Sequence, residues 1–243
     1  MARPRILVVK PQAIVPLGDA AVLIDFADTV DVAVNAGIQR LARILQRKRV
    51  PWIRDVVPSL ASLALHFDLT ALGDRDPVQA TETLIDECLA RASSLIDEPA
   101  RRVDVPICYD EAFGLDLPEL SEVLHMPVEE IARRHAGSEF SVLMMGFAPG
   151  HPYLGGLDAA LAVPRRSTPR ALVPGGSIGI AHRQSVVYPY ALPGGWNIVG
   201  RTPLRLFDAT QEEPSVFEPG DAVRFRSIDR VEFDRVAKSE GTM

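Results

Sequence analysis

The sequence predicts an α+β protein in which a small α+β N-terminal domain, residues 1–99, precedes an all-β domain, residues 100–243. Two changes in pattern predict it. Strand-like and helical patterns alternate over the first hundred residues. From Gly137 to Gly220 the chain instead holds 12 of its 17 glycines and ten of its 20 prolines. Short apolar runs separated by such turns are typical of a sandwich or a barrel.

The N-terminal domain is predicted from apolar periodicity and turn residues. Its predicted elements are, in order, a strand at AAVLIDF (Ala20–Phe26), a helix capped by Asp28 or Thr29, strands at WIRDVV and SLALHF, and a helix from Asp76-Pro77 to about Ser94. In SLALHF the apolar residues Leu63, Leu65 and Phe67 alternate with Ala64 and His66, which indicates one buried face.

The boundary between the domains is predicted at IDEPARR, Ile96 to Arg102, because this stretch is polar, contains proline and follows a helix. The predicted elements beyond it are a strand at VDVPICYD, a helix capped near Asp116, a helix ending at a C′ glycine, Gly137, and strands at SVLMMGF, SIGIA, SVVYPY, WNIVG, LRLF and AVRFR.

Composition excludes several classes of protein. The net charge of −6 argues against a nucleic-acid binder, which needs a basic face. No run approaches the roughly 18 apolar residues of a membrane span, and MARPRILVVKPQ lacks a signal-peptide core. We therefore expect a cytoplasmic protein.

Metal and disulfide chemistry are not expected either. The cysteines, Cys88 and Cys108, have no CxxC spacing, and we expect two reduced structural thiols. The five histidines form no HExxH or other metal-binding pair. The sequence therefore contains no metal motif.

The strongest chemical signal is a stretch from Ala159 to Phe207 that lacks Asp, Glu and Lys. At the chain's average of 32 acidic residues in 243, it would hold about six. Its cations are all arginines, whose planar fork binds carboxylate and phosphate: Arg165, Arg166, Arg170, Arg183, Arg201 and Arg205. The stretch as a whole favours an anion site, although each arginine taken alone is more consistent with an exposed residue on a strand edge.

Individual residues in this half have a structural and a functional interpretation. VPGGSIGIA contains neither GxxxxGK[ST] nor GxGxxG, so it is a turn with Gly175 and Gly176 at positive φ, whose N–H groups are able to form an anion nest. His135, at a helix end, is either a dipole cap or an acid–base group. Trp196, in PGGW, is either core or the wall of a binding site.

The second half resembles a known family. The runs GFAPGHPYLGGLD, PRRSTPR, VPGGSIGIA, PGGW and GRTPLRLFD, in this order, are similar to the bacterial family of 5-oxoprolinase B subunits, which is also labelled allophanate hydrolase subunit 1 and includes the KipI inhibitor. PLGDAAVLIDF and VPSLASLALHFD extend the resemblance over nearly the whole chain.

The resemblance implies a cyclophilin-like β-barrel for the second domain. It also implies a non-autonomous subunit of an ATP-dependent hydrolase that opens 5-oxoproline to glutamate. The implied partners are a homologous, KipA-like barrel protein, which is the C subunit of the complex, and its A subunit, with ATP as a cofactor of the complex.

Site residues follow from the same resemblance. His135 is the expected catalytic residue. The expected ligands of the substrate or its anion are Arg166, Arg170, Gly175, Gly176, Ser177, Gln184 and Arg201. The expected walls of the pocket are Phe147, Tyr153, Tyr188 and Trp196. The chain departs from the family pattern at His151, where phenylalanine is common, and at His182-Arg183.

The alternative function is that of a KipI-like regulator that inhibits a sensor histidine kinase by direct binding. An enzyme subunit is expected to bring His135, Arg166 and Gln184 together in one pocket, whereas an inhibitor need not do so. Peptidyl-prolyl isomerisation rests on the barrel type alone, which does not confer a function.

Overall fold

The computed structural model describes residues 9–92 and 99–241. The chain divides into two compact units, with the division after Pro99. The first unit contains β1 (Ala13–Pro16), β2 (Ala21–Asp25), α1 (Val32–Lys48), β3 (Ile53–Pro58), β4 (Ser62–Phe67), α2 (Leu69–Leu72) and α3 (Pro77–Ala92). The second contains β5 (Arg102–Ile107), α4 (Leu117–Leu124), α5 (Val128–Gly137), β6 (Phe140–Met145), β7 (Pro152–Gly155), β8 (Arg170–Val173), β9 (Ser177–Ala181), β10 (Gln184–Val187), β11 (Leu192–Gly194), β12 (Asn197–Arg201), β13 (Ala222–Ser227) and α6 (Arg230–Ser239).

The first unit is an antiparallel sheet of order β1-β2-β4-β3, against which α1 and α3 pack. The predicted alternation in β4 is confirmed, because Leu63, Leu65 and Phe67 are buried together with Ile24 and Ile38. The predicted caps of α1 are wrong. Asp31 begins the helix, and its carboxylate accepts from the N–H groups two and three residues ahead, at 2.7 and 3.0 Å.

The second unit is built on a seven-stranded sheet of order β12-β9-β10-β7-β6-β13-β5. Its two edge strands meet, because Cys108 directly follows β5 and exchanges both backbone hydrogen bonds with Arg201 of β12, at 2.9 and 3.0 Å. This bridge nearly closes the sheet into a barrel. The predicted α+β fold class is therefore confirmed.

Strand alternation gives the barrel sheet two differently packed faces. Val187, Ile178 and Phe225 belong to a large inner core. Val186 and Tyr188 belong to a second apolar cluster with Val173 of β8, on the outer side. The two-stranded ribbon β8-β11 thus packs against the outer face of the sheet.

Several predicted elements are corrected by the structure. LRLF is not a strand; Phe207 makes only a single bridge, to Ser215. Conversely, β7 lies inside the glycine-rich GHPYLGG run, and α6 was not predicted. Gly137 is the last residue of α5 rather than a left-handed C′ residue, and of the Gly175-Gly176 pair only Gly176 has a positive φ, of 78°.

Some expectations fall outside the described residues. The N-terminal segment 1–8, the predicted end of the second helix near Ser94 and the first three residues of the predicted boundary, 96–98, are among them. Within the described ranges, no helix has both the length and the apolar character that a membrane crossing requires. Cys88 and Cys108 are both buried.

Because the barrel closes beside Gly200, we expect alanine to be less well tolerated at Gly200 than at Gly137. A Cβ at Gly200 would lie 2.8 Å from the carbonyl oxygen of Cys108 and 2.9 Å from the Ile107 side chain. We expect Gly200→Ala to lower the free energy of unfolding by about 1–3 kcal/mol, as overpacking does, measured by urea denaturation. Gly137→Ala is the matched control, because a Cβ there meets no atom within 4 Å. Equal stability of the two variants would contradict this role of Gly200.

Candidate functional site

His135 lies at the centre of the barrel core. It is fully buried on α5, and its ring packs against Phe140 and Phe225 at centroid distances of 5.3 and 4.8 Å. The Tyr109 hydroxyl lies 2.7 Å from Nδ1, and Ser185 Oγ lies 3.3 Å from Nε2. Ser185 Oγ donates to the Gly179 carbonyl at 3.1 Å. Tyr109 therefore donates to Nδ1, and Nε2–H donates to Ser185.

Both ring nitrogens of His135 are thus already bonded inside the protein. Burial also lowers the pKa of His135 to about 3, so that the ring is neutral. With no exposed surface, this histidine does not contact a substrate that binds outside the barrel. The expected acid–base role is not supported by this placement, which is that of a satisfied core histidine.

Gln184 lies on the opposite face of the sheet from His135. Its neighbour Ser185 faces inward to His135, and successive side chains of a strand point to opposite faces. The structure therefore does not bring His135 and Gln184 into one pocket.

The outer face of β7 and β10 carries a cluster of aromatic residues. The His151 ring lies 5.1 Å from the ring of Tyr153 and 5.3 Å from that of Tyr188, and Tyr153 lies 6.1 Å from Trp196. Phe147 contacts His151 at 5.5 Å. Three of the four expected wall residues thus contact His151, and the fourth, Trp196, contacts Tyr153; we call these five residues the aromatic face.

The loop between β6 and β7 positions two members of the aromatic face. Gly146 N–H donates to the His151 carbonyl and His151 N–H donates to the Ala148 carbonyl, both at 3.1 Å, which makes a tight turn. Phe147 sits at its tip with a φ of 72° and 63% of its surface exposed. A bulky residue in the left-handed region is strained, and strain of this kind is concentrated at functional sites.

Arg165 provides the positive charge at the aromatic face. Its guanidinium lies 4.7 Å from the Trp196 ring centroid, a cation–π contact. Among the described residues Arg165 has no carboxylate partner. Burial, then the neighbouring Tyr153, raises the pKa of Tyr188 to about 12, while Arg165 acts in the opposite direction. Burial also raises the pKa of Tyr153, so both tyrosines remain protonated at neutral pH.

Arg166 and Arg170 bind a carboxylate of the protein itself. Asp116 is buried, and its Oδ1 accepts from Arg166 at 2.6 Å and from Arg170 at 2.7 Å. Its Oδ2 accepts from Arg170 at 2.9 Å and from the Ile198 N–H at 2.6 Å. We call this arrangement the Asp116 clamp. The two arginines expected to hold the substrate are thus largely occupied.

The remaining expected anion ligands lie elsewhere or are already bonded. Gly176 N–H donates to the Tyr188 carbonyl at 2.7 Å and Ser177 N–H to the Pro174 carbonyl at 3.2 Å, so neither is available to an anion nest. Arg201 donates to the Gly175 carbonyl at 2.7 Å and lines a separate cavity.

Three buried polar atoms have no hydrogen-bond partner within the described part of the chain: His151 Nδ1, Arg166 Nε and Gln184 Nε2. A buried polar atom without a partner is destabilising, so such atoms commonly mark a place for a ligand or a water molecule. His151 belongs to the aromatic face, and Gln184 lies on the same outer side of the sheet. Residues 9–92 and 99–241 contain no cluster of His, Cys, Asp or Glu able to hold a metal ion.

Asp116 and Arg165 are the two residues that sequence reasoning underrated. The sequence indicates Asp116 only as a helix cap, and its side chain makes no capping hydrogen bond. Arg165 has the same sequence signal as the other five arginines of the acid-free stretch, and no motif distinguishes it from them. The departures His182 and Arg183 are exposed in the turn between β9 and β10.

Comparison with known proteins shows the family to which the chain belongs. Residues 12–217 match the model of the carboxyltransferase domain, subdomain C and D. The chain is 34% identical to the 5-oxoprolinase B subunit of Bacillus subtilis over 89% of this chain and 93% of that protein. Identity to the 5-oxoprolinase B subunit of Escherichia coli O157:H7 is also 34%, over 86% and 93%. The chain belongs to the family of 5-oxoprolinase B subunits.

A solved structure supports the same fold. The crystal structure of TTHA0988 superposes with a TM-score of 0.73 at 30% identity and covers 87% of this chain. The chain spans only 40% of the length of that protein. In this member of the B-subunit family, the outer aromatic face and the Asp116 clamp both lie within the matched residues.

The Asp116 clamp predicts a large and specific loss of stability. Asp116→Asn leaves two buried arginine contacts without their countercharge, and we expect it to lower the free energy of unfolding by about 3–5 kcal/mol. Glu119→Gln is the matched control. Its carboxylate also bonds Arg166, at 2.9 Å, but is exposed, so we expect a loss below about 1 kcal/mol. Similar losses in the two variants, measured by chemical denaturation, would refute the clamp.

The buried histidines predict a stability that falls in acid. Burial lowers the pKa of His151 to about 4, whereas the unfolded chain has an ordinary pKa near 6.5. Between these values only the unfolded state binds the proton. Stability is therefore complete above pH about 6.5 and decreases toward pH 4, by up to about 1.4 kcal/mol per pH unit for each such histidine.

His151→Phe tests this dependence, since it removes the titrating ring and Nδ1 has no partner among the described residues. We expect a shallower dependence of unfolding free energy on pH between 6.5 and 4. The exposed His125 supplies the control variant His125→Asn, which removes a histidine without removing a buried ring. An unchanged slope in His151→Phe would show that His151 titrates normally in the folded protein.

Proposed function

We propose that this chain is the B subunit of an ATP-dependent 5-oxoprolinase that opens 5-oxoproline to glutamate. The observation that carries the proposal is its similarity to proteins named as 5-oxoprolinase B subunits in two bacteria, over nearly their full length. The complex would be a hydrolase, cytoplasmic, in which the partners of this chain are a KipA-like barrel protein as the C subunit and a separate A subunit.

In this proposal the aromatic face binds the substrate. 5-Oxoproline is a small apolar ring that carries one carboxylate and one lactam. The ring of Tyr153 would cover the hydrocarbon part, and Arg165, stacked on the largely buried Trp196, would pair with the carboxylate. Gln184 Nε2, which has no hydrogen-bond partner among the described residues, is the donor suited to the lactam oxygen.

ATP does not fit the glycine turn of this chain. The N–H groups of Gly176 and Ser177 are bonded to backbone carbonyls, so they offer no cradle for phosphates. ATP would supply the phosphoryl group that activates the lactam oxygen, and we assign its binding to the assembled complex rather than to this turn. This chain's own residues hold and orient the ring.

The proposal is tested in the assembled complex. The chain is co-expressed with the subunits encoded beside it, and glutamate release from 5-oxoproline is measured with and without ATP. We expect ATP-dependent release. Correctly assembled complexes that release no glutamate would overturn the proposed function.

A matched pair of variants tests the binding mode. Arg165→Gln should raise the KM for 5-oxoproline by about tenfold or more, the contribution of a charge-assisted bond, with little change in kcat. Arg226→Gln removes the same charge at a surface ion pair with Glu232 and should leave KM unchanged. A wild-type KM in Arg165→Gln would place the substrate elsewhere.

The second candidate is the KipI-like regulator, favoured by one observation. His135 and Gln184 lie on opposite faces of the sheet. The expected enzyme site needs both residues in one pocket, whereas an inhibitor does not. Since His135 is a satisfied core residue, we discard its catalytic assignment rather than the enzyme. Inhibition of a neighbouring sensor kinase's autophosphorylation by the purified chain, without glutamate release from the complex, would favour the regulator.

A further inference from the structure

A cavity in the barrel unit lies apart from the aromatic face. It has a volume of about 250 Å³ and lies between the turn before β9, the segment that follows β12, and α6. Its chemically distinctive lining residues are Phe113, Arg201, Arg205, Arg230 and Asp234. Three arginines and one carboxylate thus surround a space large enough for only a small ligand.

Two of the arginines share one aromatic ring. The guanidinium carbons of Arg201 and Arg230 lie 5.8 and 4.5 Å from the ring centroid of Phe113. Stacking on a ring fixes the plane of a guanidinium and leaves its N–H groups free to bind in that plane. Phe113 thereby holds two cations in the wall of one cavity.

The charges of these arginines are unequally compensated. Arg230 pairs with Asp234 at 3.0 Å, and Arg205 pairs with Asp208 at 3.1 Å. Among the described residues, Arg201 donates a hydrogen bond only to the Gly175 carbonyl, through Nε at 2.7 Å. Neither of its terminal nitrogens has a partner in residues 9–92 or 99–241, and no carboxylate pairs with it there.

The position of Arg201 makes this uncompensated charge unfavourable. Burial, and then the charge of Arg230, lower the pKa of Arg201. A half-buried cation beside a second cation is stabilised by an anion that contacts both. Both terminal nitrogens of Arg201 belong to the fork that binds two oxygens of one carboxylate or phosphate.

We propose that this cavity is a binding site for a compact oxyanion, a carboxylate or a phosphate, held by the terminal nitrogens of Arg201 and by Arg230 over Phe113. The site is separate from the proposed substrate site, which uses Arg165 and Trp196. It therefore stands or falls without the 5-oxoprolinase assignment.

The experiment is calorimetric titration of the full chain at constant ionic strength. Inorganic phosphate and succinate are titrated separately, which distinguishes the two sources of an oxyanion. We expect saturable 1:1 binding of at least one. Arg201→Gln and Arg230→Gln should each weaken it about ten- to hundredfold, the effect of losing a charge-assisted bond. Asp234→Asn should tighten it, since the competing carboxylate is removed.

Controls separate this site from general charge effects. Arg226→Gln, at a surface pair outside the cavity, should bind like wild type. Circular dichroism checks folding; if Arg201→Gln does not fold, Arg230→Gln decides, because its side chain is 49% exposed. Absence of saturable binding of both probes, undiminished binding in the variants, or equal weakening by Arg226→Gln would each overturn the proposal.

Discussion

The carboxylate of Asp116 is the contact on which the functional half of the molecule depends. It lies at the start of α4 and accepts from the backbone of β12 and from Arg166 and Arg170. One buried anion therefore fixes a helix, a barrel strand and the irregular segment before β8. Arg165, next to Arg166 in that segment, is thereby held over Trp196. Burial makes the countercharge necessary, since an uncompensated guanidinium at this depth would be strongly destabilising.

The barrel sheet separates two kinds of polar chemistry. Inside, His135 is bonded by Tyr109 and Ser185 and kept neutral by burial. Such a fully satisfied network gives the core a unique arrangement and leaves nothing for a ligand. Outside, His151, Gln184 and Arg166 each keep one buried polar atom without a partner among the described residues. The proposed binding site therefore lies on the face with incomplete hydrogen bonding and not on the inner face that holds His135.

The arginines of the acid-free stretch have three distinct environments. Arg166 and Arg170 bind Asp116, Arg165 stacks on Trp196, and Arg201 lines a cavity with Arg230. The stretch lacks acids, but acids from other parts of the chain, such as Asp116, reach into it. Composition along the sequence thus overstated how much positive charge remains available, because pairing takes place between residues that are distant in the chain.

The sequence by itself determined the α+β class, most helices, the alternating burial of β4, and the family, because these depend on local periodicity, turn residues and long motifs. It also predicted that Phe147, Tyr153, Tyr188 and Trp196 belong to one pocket wall. Only the tertiary structure decided which side of the sheet each residue faces. Gln184 and Ser185 are adjacent in sequence, yet strand alternation and closure at Cys108–Arg201 send one outward and the other inward to His135. The partners of a charge are likewise set by long-range contacts, so the pairing of Asp116 with two arginines about 50 residues away is visible only in the fold.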